Sequence, residues 1–298
     1  MGKKRSLELP LHAMLLPSVL IVLVYSYGPM LGLVIAFQRF IPAKGIQGSE
    51  WIGFKNFTYV FSLPDIMTVI ANTLFISVMK IIAGLIVPIL VAMLLNEVRK
   101  TAFKRAVQTF IYFPYFLSWL LLSGILIDVL SPEHGLVNRL LGYFGIAPIY
   151  FLGDNRWFPY VLVATNEWKE FGFNTIIYLA ALTGINPTLY EAAVIDGAGR
   201  WRQTWHITLP GMRPILVLLL TLALGQVLNA GFDQVLNLYS PQVYESGDII
   251  DTMVYRMGLL NAQYSVATAV GLFKSVISLA LISTAYFLAY KLARYRIF

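Results

Sequence analysis

Residues Ile70–Leu95 read IANTLFISVMKIIAGLIVPILVAMLL, an apolar run that carries one charge, Lys80, and one proline, Pro88. A membrane-crossing helix needs about 20 mostly apolar residues, and this run supplies them. Working outward, five further runs of the same kind lie at about Leu11–Phe37, Ala106–Leu130, Phe158–Ile185, Pro214–Asn237 and Ala267–Leu292. The expected architecture is an all-α membrane protein with six transmembrane helices and both termini on one side. Long apolar runs separated by short polar loops argue against a β-barrel, whose strands are only about 10 residues long.

Composition agrees. Of 298 residues 58% are hydrophobic and 12% charged, whereas a soluble domain carries about 25% charged residues. Such a chain cannot cover itself with polar surface. Cysteine is absent, which removes disulfides, thiolate metal sites, iron–sulfur clusters and thiol nucleophiles together. His12, His134 and His206 show no ligand spacing, so no catalytic metal is expected. The first run follows Lys3, Lys4 and Arg5, as a signal peptide would. It is too long for such a peptide and no small-residue cleavage site closes it, so it reads as a retained anchor.

The net charge of +7 is a matter of topology rather than of nucleic-acid binding. On one side fall Lys3, Lys4, Arg5, then Arg99, Lys100, Lys104, Arg105, then Arg200, Arg202, Arg213, then Lys291, Arg294 and Arg296. The other side has only Arg39, Lys44, Lys55, Arg139, Arg156 and Arg256. The richer side is expected in the cytoplasm, its clusters against anionic lipid headgroups. The organisation expected is a basic cytoplasmic tail over 1–10, a first helix and outer loop over 11–64, and a five-helix core over 65–298. The outer loop, with Trp51, Phe54, Phe57 and Tyr59, reads as packing at the bilayer surface.

The longest loop on the cytoplasmic side runs from Asn186 to Pro210, NPTLYEAAVIDGAGRWRQTWHITLP. Asn186 can cap a helix and Pro187 suits its first position. Gly197 and Gly199 stop that helix and permit a turn, with a second short helix expected over Trp201–Ile207, ending before Pro210. The product is a helix–turn–helix with small residues at the centre of its apolar face, open to close approach by another protein.

Here the chain resembles a family. Glu-Ala-Ala, three residues, Gly, nine residues, Ile, one residue, Leu-Pro is similar to the EAA loop of permease subunits in binding-protein-dependent ABC importers, and Glu191, Ala192, Ala193, Gly197, Ile207, Leu209 and Pro210 fill every fixed position. Phe113–Trp119, Ile176–Leu182 and Leu228–Gln234 look like the carbohydrate branch, and most like its LplB-type permeases for oligosaccharides and polysaccharide fragments. The resemblance implies a type I ABC importer transmembrane domain in a bacterial or archaeal cell membrane. Its implied partners are two ATPase subunits, a second permease (usually a different chain), an extracytoplasmic solute-binding protein and a saccharide. Glu191 would pair with a basic residue of the ATPase, Ala192 and Ala193 would pack in its groove, and Asp196, Gly197, Ala198 and Gly199 would form the turn. Ile207, Leu209 and Pro210 would anchor the loop to the bundle. No Walker A loop is present, so ATP and Mg would be bound by the partner, with no cofactor or catalytic residue in this chain.

Polar groups inside spans are costly and count as candidates for the substrate path. Gln226, Asn229 and Asp233 fall at i, i+3 and i+7, one face of a continuous helix. Glu167, Lys169 and Glu170 surround Trp168, and Trp119, Tyr115 and Phe232 offer aromatic faces to a hydroxyl-rich substrate. Lys169 is the one pointer toward an anionic sugar, and neutral and uronate-containing fragments both stay open. Lys80 and Lys274 read as paired or snorkelling. The acidic segment Tyr244–Asp251 reads as a solvated outer loop, with a contact to the binding protein as the alternative. A secondary transporter, with broken helices around polar groups, is the rival to the importer; a membrane enzyme would rest on Glu167 and Glu170 alone.

Overall fold

The computed structural model describes residues 2–293, and the side chains of 10, 12–287 and 291. Arg294 and Arg296 therefore lie outside the described residues, as do the side chains of Lys3, Lys4 and Arg5. Helices dominate. Among the described residues the one strand pairing is a two-residue antiparallel ladder, Gln38 opposite Trp51 and Arg39 opposite Glu50.

Among the described residues four helices have the length and apolarity to cross a membrane: His12–Phe37, Ile66–Glu97, Arg200–Gly225 and Tyr264–Phe287. Their large apolar side chains stay exposed, as Leu20, Ile86, Leu222 and Leu279 do, which a chain solvated by lipid tolerates and a soluble one does not. Phe158–Thr183 is a continuous 26-residue helix. Its Glu167, Lys169 and Glu170 keep it out of the most apolar class.

The expected span at 106–130 is broken. Helix Thr101–Tyr112 tightens into a 3₁₀ turn over Phe113–Phe116, and a new helix, Trp119–Leu130, starts after Ser118. The two arms meet at 104° and count as a fifth span only if taken as one. Pro114 lacks the N–H that would continue the ladder, and Ser118 caps the next helix, its Oγ accepting from the Leu121 N–H at 3.3 Å. The expected span at 214–237 is also broken. Its helix ends at Gly225, residues 226–231 form an irregular link, and a short helix resumes at Phe232–Leu238. Gly231, immediately before that short helix, stands at φ +94°, a left-handed conformation that favours glycine.

The chain divides into two compact units, Met1–Ile66 with Val254–Phe273, and Met67–Met253 with Lys274–Phe298. In the first, Asn56 Nδ2 donates to the carbonyls of Ala36 and Gln38 at 2.8 and 3.0 Å, and Phe37 stacks on Trp51 at 5.7 Å between centroids. In the second, Ile76, Leu122, Phe158, Leu162 and Val235 form one buried cluster, and Ala92, Tyr178, Leu182 and Met212 another. A Cβ on Gly172 would lie 1.9 Å from the Ile111 carbonyl oxygen, so helices Thr101–Tyr112 and Phe158–Thr183 cross there backbone to backbone.

The acidic segment Tyr244–Asp251 is not a solvated loop. Asn72 Nδ2 donates to the carbonyls of Glu245 (2.9 Å) and Asp248 (3.3 Å), and the Ile250 N–H donates to Thr73 Oγ1 at 2.9 Å. Asp248 is buried and accepts from Thr252 Oγ1 at 2.7 Å, while Asp251 pairs with Lys274 at 2.5 Å. Asp251 finds its partner 23 residues on, and the segment's backbone is held by Asn72 and Thr73 from a distant helix, which its local charge density does not reveal.

Candidate functional site

Two features of the second unit gather the candidate residues. The first is the loop 186–210. Asn186 Oδ1 accepts from the Thr188 N–H at 3.1 Å and caps helix Pro187–Ile195. The helix ends on Gly197 at φ +74°. There the Ala198 N–H reaches the Ala193 carbonyl at 2.8 Å and the Gly197 N–H that of Val194 at 3.0 Å, which is the full Schellman closure. Gly199 then precedes helix Arg200–Gln203.

The second arm does not end before Pro210. It passes through a π turn at Thr204–Thr208 directly into helix Leu209–Gly225. Pro210 sits in the first turn of that helix, where no N–H is needed, and the wide turn before it absorbs the misfit. Tyr190 Oη and Thr208 Oγ1, 3.0 Å apart, join the two arms. Gln203 Nε2 donates to the Ala198 carbonyl at 2.8 Å, and Arg200 forms an ion pair with Glu97 at the end of helix Ile66–Glu97. Between that helix end and the loop lies a cleft of about 380 Å³, lined by Leu94, Tyr190, Trp201 and Thr204 among others.

The loop's outer face is apolar. Leu189, Val194, Ile195, Trp201 and Trp205 are all at least half exposed, Ile195 to 87%. Glu191 and Ala192 are exposed with them, Ala193 and Ala198 partly covered, and Asp196 free-standing at the surface. Ile207, Leu209 and Pro210 are half-buried on either side of buried Thr208.

The second feature is a polar cluster around the two helix breaks. Lys169 Nζ donates to the Tyr115 carbonyl at 2.8 Å, lies 3.5 Å from Glu170 Oε1, and faces the rings of Tyr115 and Trp119 at 5.0 and 5.7 Å. Tyr115 in turn stacks flat on Phe173 at 4.0 Å. Glu167 is buried and its Oε1 has no hydrogen-bond partner among the described residues; its Oε2 borders Gly84, which lines a cavity of about 200 Å³ with Asn174, Tyr178 and Leu219. Trp168 between them is half-exposed.

Gln226, Asn229 and Asp233 do not share the face of a continuous helix, because the break at 226–231 separates them. All three are exposed; Asn229 Nδ2 reaches Gln226 Oε1 at 3.5 Å, and Asp233 opens the next helix beside half-buried Phe232. Three residues escaped the sequence reading as a set. Lys80 Nζ donates to the Ala230 carbonyl at 2.6 Å and to Gln234 Oε1 at 2.5 Å, and Gln234, fully buried, donates through Nε2 to the Leu162 carbonyl and Thr165 Oγ1, both at 2.8 Å. A single lysine, Lys80, in one span, and Gly231 with Gln234 three residues on in another, were the available signals. Lys80 and Lys274 are both paired, as expected.

This assembly offers carboxylates, amides and aromatic faces inside a helical bundle, and an apolar knob outside it. Residues 84–297 match the family described as "Binding-protein-dependent transport system inner membrane component". The chain is 44% identical, over 94% of its length and 88% of the relative's, to the polygalacturonan/rhamnogalacturonan transport system permease protein YteP of Bacillus subtilis (strain 168). It is 42% identical to protein LplB of the same organism, with the same coverage. Among solved structures, a chain of a bacterial alginate ABC transporter, in complex with its alginate pentasaccharide-bound periplasmic protein, matches with a TM-score of 0.91 and 38% identity over 100% of this chain and 99% of that one.

Proposed function

The chain belongs to the binding-protein-dependent transport system inner membrane components, and from that premise we propose that it is the permease subunit of an ATP-driven importer for oligosaccharides or polysaccharide fragments. The observation that carries this reading is likeness over nearly the whole chain to a permease named for polygalacturonan and rhamnogalacturonan transport and to a chain of an alginate ABC transporter. The two broken spans are what a secondary transporter would also have, but family membership decides against that rival.

On this reading both termini and the loop 186–210 face the cytoplasm, and the chain's job is passage and coupling. Two ATPase subunits hold ATP and Mg, a second permease (a different chain) completes the pore, and a solute-binding protein delivers the sugar from outside. The exposed knob of Leu189, Val194, Ile195 and Trp201 enters a groove of the ATPase, Glu191 pairs with a basic residue there, and Ala192 and Ala193 allow close packing. Closure of the ATPases moves the knob, and the bundle tips between inward- and outward-facing states. Saccharide hydroxyls meet Glu167, Glu170, Gln226, Asn229 and Asp233 beside Trp119, Trp168 and Phe232. Lys169 gives no reason to favour an anionic sugar, since its ammonium is committed to the Tyr115 carbonyl and Glu170.

The test is affinity purification of the chain from its native membrane in mild detergent, with ATPase activity measured with and without the binding protein. An ATPase and a second permease in the eluate, with hydrolysis stimulated by saccharide-loaded binding protein, are expected. A chain that elutes alone, under conditions that keep a known importer intact, overturns the proposal.

A further inference from the structure

Two spans of this chain break, and at each break a lysine from a neighbouring helix meets a backbone carbonyl. At the first, Leu117 and Ser118 turn extended, so no helical turn follows the Tyr115 carbonyl, and Lys169 donates to it at 2.8 Å. At the second, the Ala230 carbonyl sits just before left-handed Gly231, and Lys80 donates to it at 2.6 Å. A carbonyl freed inside a span must be satisfied by protein, because lipid offers no donor. At Tyr115 a cation is favoured further, since the C-terminal end of the helical arm there carries partial negative charge; at Ala230 the carbonyl belongs to the irregular link and only the hydrogen bond applies.

Neither lysine is committed first to a carboxylate in the manner of a simple ion pair. Lys80 also donates to Gln234 Oε1, and Gln234 locks onto helix Phe158–Thr183 through Leu162 and Thr165. Lys169 has Glu170 at 3.5 Å and rests between two aromatic rings. The glycine at 231 is cut to fit, because a Cβ there would come 2.9 Å from Lys80 Nζ.

Resting on the permease reading above, we infer that Lys80 and Lys169 are positioning residues of the translocation path, lysine caps that hold the two helix breaks open and so set the direction in which Trp119 on one side, and Gln226, Asn229 and Asp233 on the other, are presented. They act through the backbone and do not touch the sugar. Loss of one cap disturbs its own break and leaves the other in place, because the two lysines contact different segments.

The chain has no cysteine, so one introduced thiol reports on one break. The assembled transporter in native membranes is labelled with a maleimide at Asn229→Cys or, separately, at Phe116→Cys, each combined with Lys80→Met, Lys80→Arg, Lys169→Met or Lys169→Arg. A lost cap lowers the cost of local opening. The expected pattern is crossed: Lys80→Met changes the labelling rate at 229 by about threefold or more and leaves 116 unchanged, Lys169→Met does the reverse, and each arginine restores the original rate. Should a methionine variant fail to accumulate, the glutamine variant, which keeps a donor and loses the charge, is read in its place. Unchanged rates at both positions, or equal changes at both with either lysine, overturn the inference. Uptake of the saccharide by the unmodified complex is measured alongside; its absence sinks the permease reading, while the labelling pattern still tests the caps.

Discussion

Replacing Gly197 probes the coupling loop through its backbone alone. A Cβ built at this glycine meets nothing within 4 Å, so a side chain there costs no packing in the free loop. The backbone sits at φ +74°, and an L-residue held in that region loses about 1–2 kcal/mol. The Schellman closure gives this energy its target, because the bonds from Ala198 to Ala193 and from Gly197 to Val194 require that conformation. A deficit of that size lowers the population of correctly turned loop by about 5- to 30-fold. Gly197→Val is therefore expected to reduce saccharide uptake by roughly that factor, Gly197→Ala to lie at the mild end, and Gly197→Asn, which tolerates left-handed geometry, to stay nearest the wild type. The assay is initial uptake of labelled saccharide, normalised to permease in the membrane. Normal uptake by the valine variant refutes the coupling role of this turn. Equal loss in the asparagine and valine variants refutes the conformational account, since that result means a partner's surface needs the bare backbone.

Three other outcomes follow from contacts described above. Gly172→Ala, which drives a methyl against the Ile111 carbonyl, is expected to destabilise the bundle by about 1–3 kcal/mol; an unchanged thermal midpoint in detergent means the two helices do not meet there. Lys274→Met or Asp251→Leu alone leaves a charge without its partner, so each is expected to lower stability more than the double variant Lys274→Met/Asp251→Leu does; additive effects in that cycle contradict the pairing. Glu97→Ala breaks an ion pair that is more than half exposed on both sides, so its expected cost is below about 1 kcal/mol, and a large loss of stability in the same detergent assay shows that the pair carries more than its exposure suggests.

Much of this architecture can be read from residues that act locally. Apolar runs mark lipid-facing helices because the bilayer demands apolar side chains, and Asn186, Pro187 and Gly197 mark a capped helix and its stop by short-range chemistry. The breaks at 113–118 and 226–231 are hidden for the same reason that the runs are visible. A packed interior asks for apolar side chains whatever the backbone does, so Val227, Leu228 and Ala230, all buried, continue the pattern straight through a helix that has ended. The face shared by Gln226, Asn229 and Asp233 was lost with it. What rescues those breaks is a donor more than fifty residues away in each case, and no periodicity connects Lys169 to Tyr115 or Lys80 to Ala230. The acidic segment misled by the same route: Asp248 and Asp251 look solvated until Thr252 and Lys274 are folded against them.

The π turn at Thr204–Thr208 has a mechanical consequence. Because it carries the second arm of the loop into the span as unbroken helix, residues Arg200–Gly225 form one helical lever of 26 residues, about 39 Å long at 1.5 Å per residue, with Pro214 inside it as a point of bending. A push at Trp201 is then delivered as leverage: a tilt of about 10° about one end of such a lever swings the other by about 7 Å. Further slack lies at Gly197 before the lever and at the link 226–231 after it, so the chain is jointed at the two places where a lever needs its pins.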